Sequence, residues 1–297
     1  MWYGSRLIIT SVSKFSRKLK LSPFAISFVF LGLLTSTPEF SVGLQAVANH
    51  NAPIFIGNLL GGIIVLFLMV IPVLAIVGNG INLKNELEHS TLLTALGVIL
   101  APAIFILDRR VTNVEGGILI ILYLLLLYII ERKNGIFDPN NDQLQDVKAY
   151  SYKDILKILV GIGIVFVSSS AIVDKTVIFS EVFSVPTFYI SLLVIALGTN
   201  LPELSLAIHG HVSGKKDIAM GDYLGSSAVN TLLFGIFTIF HNGEVLTISN
   251  YLVTFFFMAV AVSVFYFFVA LKGAISRRDG LLMLALYVVF VVSEVRM

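Results

Sequence analysis

Hydrophobic positions along this chain come in long continuous runs, each bounded by charged residues, glycines or prolines. Most runs are close to the roughly 20 residues that a helix needs to cross a bilayer, and none alternates like a barrel strand. They predict membrane-spanning helices at 21–48, 53–77, 90–107, 114–131, 154–174, 185–212, 217–241, 246–271 and 279–294. A shorter apolar piece at 2–12 predicts a shortened first helix, so we expect about ten helices in all.

Composition agrees with this pattern. Of the 297 residues, 57% are hydrophobic and only 13% are charged, which is far more apolar than a soluble domain. We therefore predict an all-α polytopic membrane protein in contact with membrane lipid. A formal charge of +2 gives no indication of nucleic-acid binding, and the absence of cysteine excludes disulfides and thiolate metal sites.

Two short polar motifs repeat along the chain. Residues 34–39 read LTSTPE and residues 198–203 read GTNLPE, and a shift of 164 residues places Thr35 on Thr199 and Glu39 on Glu203. The same shift aligns a second pair of motifs, GNLLGGIIVL at 57–66 and GDYLGSSAVN at 221–230. The chain therefore contains two related halves.

The repeat divides the chain into a first five-helix half at 1–131, a polar linker at 132–153 and a second five-helix half at 154–297. Because five is odd, the second half enters the membrane upside down, which gives the inverted repeat of many secondary transporters. Fourteen lysines and arginines fall in the loops after predicted helices 1, 3, 5, 7 and 9, and four fall on the other side. The positive-inside rule then predicts a cytoplasmic linker and both termini outside the cell (plasma) membrane.

Each half places one glutamate inside an apolar span, directly after a proline. A central carboxylate costs about 3 kcal/mol on insertion scales, so a repeated one indicates a bound partner. Proline cannot donate a backbone hydrogen bond and breaks the helix, which exposes carbonyl oxygens next to Thr35, Ser36, Thr199 and Asn200. Carboxylates, hydroxyls and carbonyls together form a hard-oxygen site, and two negative charges match Ca²⁺.

These motifs resemble the alpha repeats of the cation/calcium antiporter superfamily, especially its prokaryotic sodium/calcium exchanger branch, whose patterns are GTSLPE and GNxxGSNxxN. The resemblance implies ten helices, ions bound between helices 2, 3, 7 and 8, and alternating access by sliding of helices 1 and 6. It also implies that Glu39, Glu203, Thr35 and Thr199 bind calcium. Ser36, Asn200 and Ser226 stand where the family places sodium ligands, and Asn230 closes the second motif.

The first half departs from the family pattern. Gly62 replaces the serine of GSN and Leu66 replaces the final asparagine, so two polar ligands are missing. The sequence therefore predicts a secondary active antiporter that exchanges Ca²⁺ for a monovalent cation, with H⁺ favoured over Na⁺ as the counter-ion. Both transported ions are substrates, and no cofactor is expected.

Other functions fit the sequence less well. An intramembrane aspartyl protease would need two aspartates, whereas the central acids are glutamates, so we do not expect an enzyme. A passive cation channel would not require two halves, and Mn²⁺ or Mg²⁺ remain alternative substrates. We interpret Gly61 and Gly225 as helix-packing residues and Asp222 as a helix-cap or entrance acid. No protein partner is implied, and we expect a monomer.

Overall fold

A computed structural model describes Tyr3 and residues 28–29, 32–82, 89–134, 152–201, 203–204, 216–241, 244–246 and 251–296. The described chain is mostly helical, as predicted. Its helices are α1 Gly32–Thr35, α2 Thr37–Ala48, α3 Ala52–Val77, α4 His89–Phe105, α5 Asn113–Asn134, α6 Tyr152–Phe183, α7 Thr187–Thr199, α8 Lys216–Phe240, α9 Leu252–Phe267 and α10 Arg277–Val295. A π-helical turn interrupts α3 at Leu66–Val70 and α7 at Ser191–Ile195, and another extends α9 over Phe268–Lys272.

The helix boundaries follow the predicted spans with two main differences. The span predicted at 21–48 is divided into α1 and α2, and α6 continues to Phe183 instead of ending at 174. Asp174 and Lys175 indicated a helix end, but both side chains are exposed on a continuous helix. In the described part of the chain, six helices are long and apolar enough to cross a membrane. The predicted helix at 2–12 lies outside the described residues apart from Tyr3.

Four short strands were not predicted. They are β1 Ile81–Asn82, β2 Arg110–Thr112, β3 Glu244–Leu246 and β4 Ala274–Ile275. Strand β1 pairs antiparallel with β4, placing Ile81 opposite Ile275, and β2 pairs with β3, placing Val111 opposite Val245. The shift of 164 residues aligns β1 with β3 and β2 with β4. The two strand pairs are therefore equivalent in the two halves. Each pair joins two loops that the alternating topology predicts on the same side of the membrane.

Helices α3 and α8 form the centre of the bundle. Both are buried over most of their length, whereas most of the apolar stretches of α5 and α6 are exposed. Helix α8 packs against α1, α3, α4 and α5, and α3 packs against α2, α7 and α10. The exposed side chains of the outer helices are largely apolar, including Ile121, Leu125, Val167 and Phe183. This is the distribution expected for helices that face lipid around a packed centre.

Candidate cation site

The two predicted helix breaks are confirmed. Helix α1 ends at Thr35, Ser36 forms a turn, and α2 begins at Thr37 with Pro38 in its first turn. In the second half α7 ends at Thr199, Asn200 forms the turn, and Glu203 lies in helical backbone beyond it. Pro202 lies outside the described residues. Each glutamate is therefore presented at the start of a helix that resumes after a break.

The predicted site residues are all buried. None of the eight side chains is more than 2% exposed: Thr35, Ser36, Glu39, Thr199, Asn200, Glu203, Ser226 and Asn230. Because buried polar groups are costly unless they have partners, their hydrogen bonds show how the site is organised.

Each threonine donates a hydrogen bond to the opposite half of the chain. The Thr35 hydroxyl lies 3.2 Å from Oδ1 of Asp222 on α8, and the Thr199 hydroxyl lies 3.1 Å from Oδ1 of Asn58 on α3. The 164-residue shift places Thr35 on Thr199 and Asn58 on Asp222, so these two contacts are equivalent. The halves are thus joined at the site by a reciprocal pair of hydrogen bonds.

Asn200 connects the two halves directly. Its amide Nδ2 lies 3.4 Å from Oε1 of Glu39, and it also donates to the carbonyl of Ala196 at 2.7 Å. Glu203 follows Asn200 by one helical turn, and its buried carboxyl group interacts electrostatically with that of Glu39. The structure therefore places the two repeated glutamates in the same buried region.

Two other predicted residues, Ser36 and Ser226, have local partners, whereas Asn230 bonds to the opposite half of the chain. The Ser36 hydroxyl donates to the carbonyl of Gly32 at 2.8 Å, and the Ser226 hydroxyl donates to the carbonyl of Asp222 at 2.7 Å. The Asn230 amide donates to the carbonyl of Leu59 on α3 at 3.3 Å. A serine hydroxyl that donates within its own helix still has oxygen lone pairs available to a cation.

Several oxygens at the site have no hydrogen-bond partner in the described part of the chain. They include Glu39 Oε2, Glu203 Oε2, Asp222 Oδ2 and Asn230 Oδ1. Every lysine and arginine whose side chain is described is exposed, so none of them neutralises these buried acids. Buried carboxylate oxygens in this condition need a bound cation or a proton. No three of the described acidic or histidine side chains are close enough to share one metal ion.

Comparison with known proteins identifies the family. The family described as "Sodium/calcium exchanger protein" matches residues 1–130 and 153–295, which is most of the chain. The chain belongs to the sodium/calcium exchanger family. Among its relatives, the putative antiporter CaxA of Alkalimonas amylolytica is 26% identical over 256 residues, covering 82% of this chain and 78% of that protein. The sodium/calcium exchanger MaX1 of Methanosarcina acetivorans is 22% identical, covering 97% and 93% respectively.

The exchanger family also accounts for the fold. The solved structure of the sodium-calcium exchanger NCX_Mj, soaked with Na⁺ and Sr²⁺, matches 98% of this chain and 94% of its own, with a TM-score of 0.72 and 21% identity. This member of the exchanger family is thus a transmembrane cation/calcium antiporter and a transport protein of no known enzyme class. Ion selectivity within the family has to be argued from the site.

Asp222 and Asn58 contact the predicted site residues Thr35 and Thr199, and the sequence interpretation did not include them in the candidate site. Asp222 was expected at a helix cap or entrance, but α8 begins six residues earlier at Lys216, and the side chain is 1% exposed and bonded to Thr35. That expectation was therefore wrong. The signal that could have found both residues is the repeat itself, because the same shift aligns Asn58 with Asp222.

The packing role predicted for two glycines is confirmed. A Cβ on Gly225 would meet the backbone carbonyl of Phe28, and a Cβ on Gly61 would meet the backbone carbonyl of Leu192. Phe28 and Leu192 are also 164 residues apart, so these contacts are equivalent in the two halves. Only glycine permits this approach between backbones, which sets the spacing between each broken helix and α3 or α8.

Proposed function

We propose that this exchanger is a secondary active antiporter that moves Ca²⁺ in exchange for a monovalent cation at a central site. Glu39 and Glu203 provide the two negative charges that bind calcium, and Thr35 and Thr199 complete the set at the helix breaks. Ser36, Asn200, Ser226 and Asn230 contribute further oxygens when the counter-ion binds.

One observation carries this proposal. Two glutamates from opposite halves are buried close together, each with an oxygen that has no partner among the described residues. Two carboxylates with surrounding amide and hydroxyl oxygens match the hard ligands and the charge that Ca²⁺ prefers. Mg²⁺ requires tighter octahedral geometry and gives up water reluctantly, so a site built only from protein oxygens suits it less well.

The counter-ion must neutralise the same acids after calcium leaves. Sodium ions could do so through the oxygens on α7 and α8, and one relative, MaX1, is a sodium/calcium exchanger. Protons are the second candidate, because the described residues include no basic side chain at the site and Gly62 and Leu66 remove two sodium ligands. Either ion supports exchange, provided that it competes with Ca²⁺ for binding.

Alternating access requires that a helix moves relative to the site. Helix α6 is a candidate, because it is mostly exposed and contacts α2 directly. Near Glu39, the hydroxyl of Ser41 on α2 hydrogen-bonds the hydroxyl of Ser169 on α6. We propose that sliding of α6 along α2 opens the site to one side of the membrane at a time.

Uptake of calcium-45 into proteoliposomes tests the function. An outward sodium gradient and an imposed pH gradient are applied separately, with ionophores to collapse each gradient. Uptake that requires one of these gradients supports antiport and identifies the counter-ion. Calcium flux that follows its own gradient without any counter-ion would instead show a passive channel. Competition by Mn²⁺ or Mg²⁺ measures divalent selectivity in the same assay.

The site assignment is tested with two variants and a matched control. Glu39→Gln and Glu203→Gln each remove one charge with little change in shape, so we expect both to abolish exchange while the protein still inserts. Glu294→Gln is the control, because Glu294 is also buried, at 3% exposure, but is bonded to Thr254 on α9 and lies outside the site. Calcium exchange retained in both site variants would overturn the assignment.

A further inference from the structure

Asp222, in the second motif of the second half, is a third buried carboxylate, and the first half has Asn58 at the equivalent position. Its Oδ1 accepts the hydrogen bond from Thr35, while its Oδ2 has no partner in the described part of the chain. It is 1% exposed and interacts electrostatically with Glu203. With Glu39 and Glu203, it gives the site three acids, one more than a single calcium ion neutralises.

The two halves differ at this position in a consistent way. On α8, Asp222, Ser226 and Asn230 follow one another at intervals of four residues and therefore lie on one face. The equivalent face of α3 carries Asn58, Gly62 and Leu66. The second half thus has an oxygen at all three positions and one full negative charge, whereas the first half has a single neutral amide.

Side chains from the second half occupy the space next to the missing hydroxyl of the first. A Cβ on Gly62 would lie 3.1 Å from Nδ2 of Asn200 and 3.1 Å from Nδ2 of Asn230. Both of these atoms are hydrogen-bond donors, so the region next to Gly62 is unfavourable for a cation. The cation-binding oxygens are consequently concentrated on the α8 side.

Asp222 has a suitable set of neighbouring oxygens. Thr35 lies 3.2 Å away from Oδ1, and the Ser226 hydroxyl stands one turn further along α8, bonded to the carbonyl of Asp222. Asn230 is eight residues from Asp222, or about 12 Å along the helix, so it belongs to a different part of the site. One carboxylate with two hydroxyls balances a single positive charge.

We propose that Asp222, Thr35 and Ser226 form a binding site for a monovalent metal cation beside the two calcium-binding glutamates. This inference rests on the proposed function and assigns the counter-ion a location. The carboxylate supplies the charge, and the hydroxyl oxygens supply neutral ligands. The site replaces the binding capacity lost at Gly62 and Leu66, and it makes a sodium-sized ion the counter-ion.

Direct binding tests the site without relying on transport. In calcium-free detergent solution, sodium that binds the native state raises the melting temperature, whereas choline at the same ionic strength does not. We expect sodium to stabilise the wild-type protein and to lose at least about ten-fold in potency for Asp222→Asn, a change that copies the Asn58 of the other half. Equal stabilisation of both proteins, or of neither, overturns the proposal. If Asp222→Asn does not fold, Ser226→Ala is held to the same criterion.

Transport measurements distinguish the proposed Asp222 site from the proposed calcium antiport. Self-exchange of calcium-45 against unlabelled calcium needs no counter-ion and reports only the calcium site. Asp222→Asn should reduce sodium-driven uptake at least about ten-fold more than it reduces self-exchange. A ratio unchanged from wild type contradicts the Asp222 site, whereas absent self-exchange in the wild type contradicts the proposed function. Parallel measurements with K⁺ and a pH gradient show which cation depends on Asp222, and dependence on protons alone overturns the metal-cation site.

Discussion

Gly225 provides a test of the packing that positions the site. The residue lies on α8 where the backbone of Phe28 passes against it. In Gly225→Ala, the new Cβ would lie 2.8 Å from both the Cα and the carbonyl carbon of Phe28, a distance that real Cβ atoms do not adopt. Because the neighbour is backbone, it cannot move aside by changing a rotamer, so the two segments must separate.

The required movement can be estimated from these distances. Ordinary van der Waals contact begins at 3.4 Å, so the backbone around Phe28 has to move by about 0.6 Å or more. The same displacement applied to α1 would lengthen the 3.2 Å contact between Thr35 and Asp222 beyond hydrogen-bonding distance. Overpacking costs about 1–3 kcal/mol, and because the neighbour here is backbone, which cannot change rotamer, we take the upper part of that range, about 2–3 kcal/mol. The better helix propensity of alanine returns about 1 kcal/mol, so we expect net destabilisation of about 1–2 kcal/mol.

Thermal unfolding in detergent and calcium-45 self-exchange measure the two consequences. Gly225→Ala should lower the apparent melting temperature by about 2–3 °C and slow exchange. Gly97→Ala on α4 is the matched control, because a Cβ there has no neighbour within 4 Å and should be neutral or stabilising. A Gly225→Ala protein that is as stable and as active as wild type would refute the close backbone contact.

Three further changes test other parts of the structure. Gly62→Ser with Leu66→Asn restores two polar groups of the family pattern next to Asn200 and Asn230, and we expect a lower half-saturating sodium concentration in the uptake assay. Ser169→Ala removes the hydroxyl contact with Ser41 between α6 and α2; turnover should change more than calcium affinity, and the reverse would argue against sliding of α6. Thr254→Val removes the 2.6 Å hydrogen bond to the buried Glu294, which should cost about 1–3 kcal/mol in thermal unfolding while exchange continues.

The features that could be predicted from sequence are local or repeated. The helix break before Glu39 follows from a proline inside an apolar span, and its recurrence before Glu203 indicated a shared site. Helix type and approximate bounds followed from the long apolar runs. Strands β1 to β4 could not be found, because two or three residues show no alternation and their pairing depends on loops more than 100 residues apart.

Asp222 shows why the site itself was only partly predictable. Near the start of an apolar run, an aspartate is typical of a helix cap, and the local sequence gives no other indication. Its role depends on α1 packing against α8, which places Thr35 within hydrogen-bonding distance. That packing involves close backbone contact between Gly225 and Phe28. The sequence indicated that Gly225 packs closely, but not which segment it contacts.

The hydrogen bonds between the two halves mean that the candidate cation ligands have to be counted over both halves together. The preference for protons treated each half as a separate set of ligands and found the first half deficient at Gly62 and Leu66. In the structure, however, Thr35 of the first half is paired with Asp222 of the second, and Thr199 is paired with Asn58. In the proposed function each ion is therefore held by residues from both halves, and a loss in α3 can be offset by a charge in α8. When the ligands of both halves are counted together, the proposed site has one carboxylate and two hydroxyls for a monovalent cation. Asp222→Asn is the change that distinguishes sodium from protons as the counter-ion.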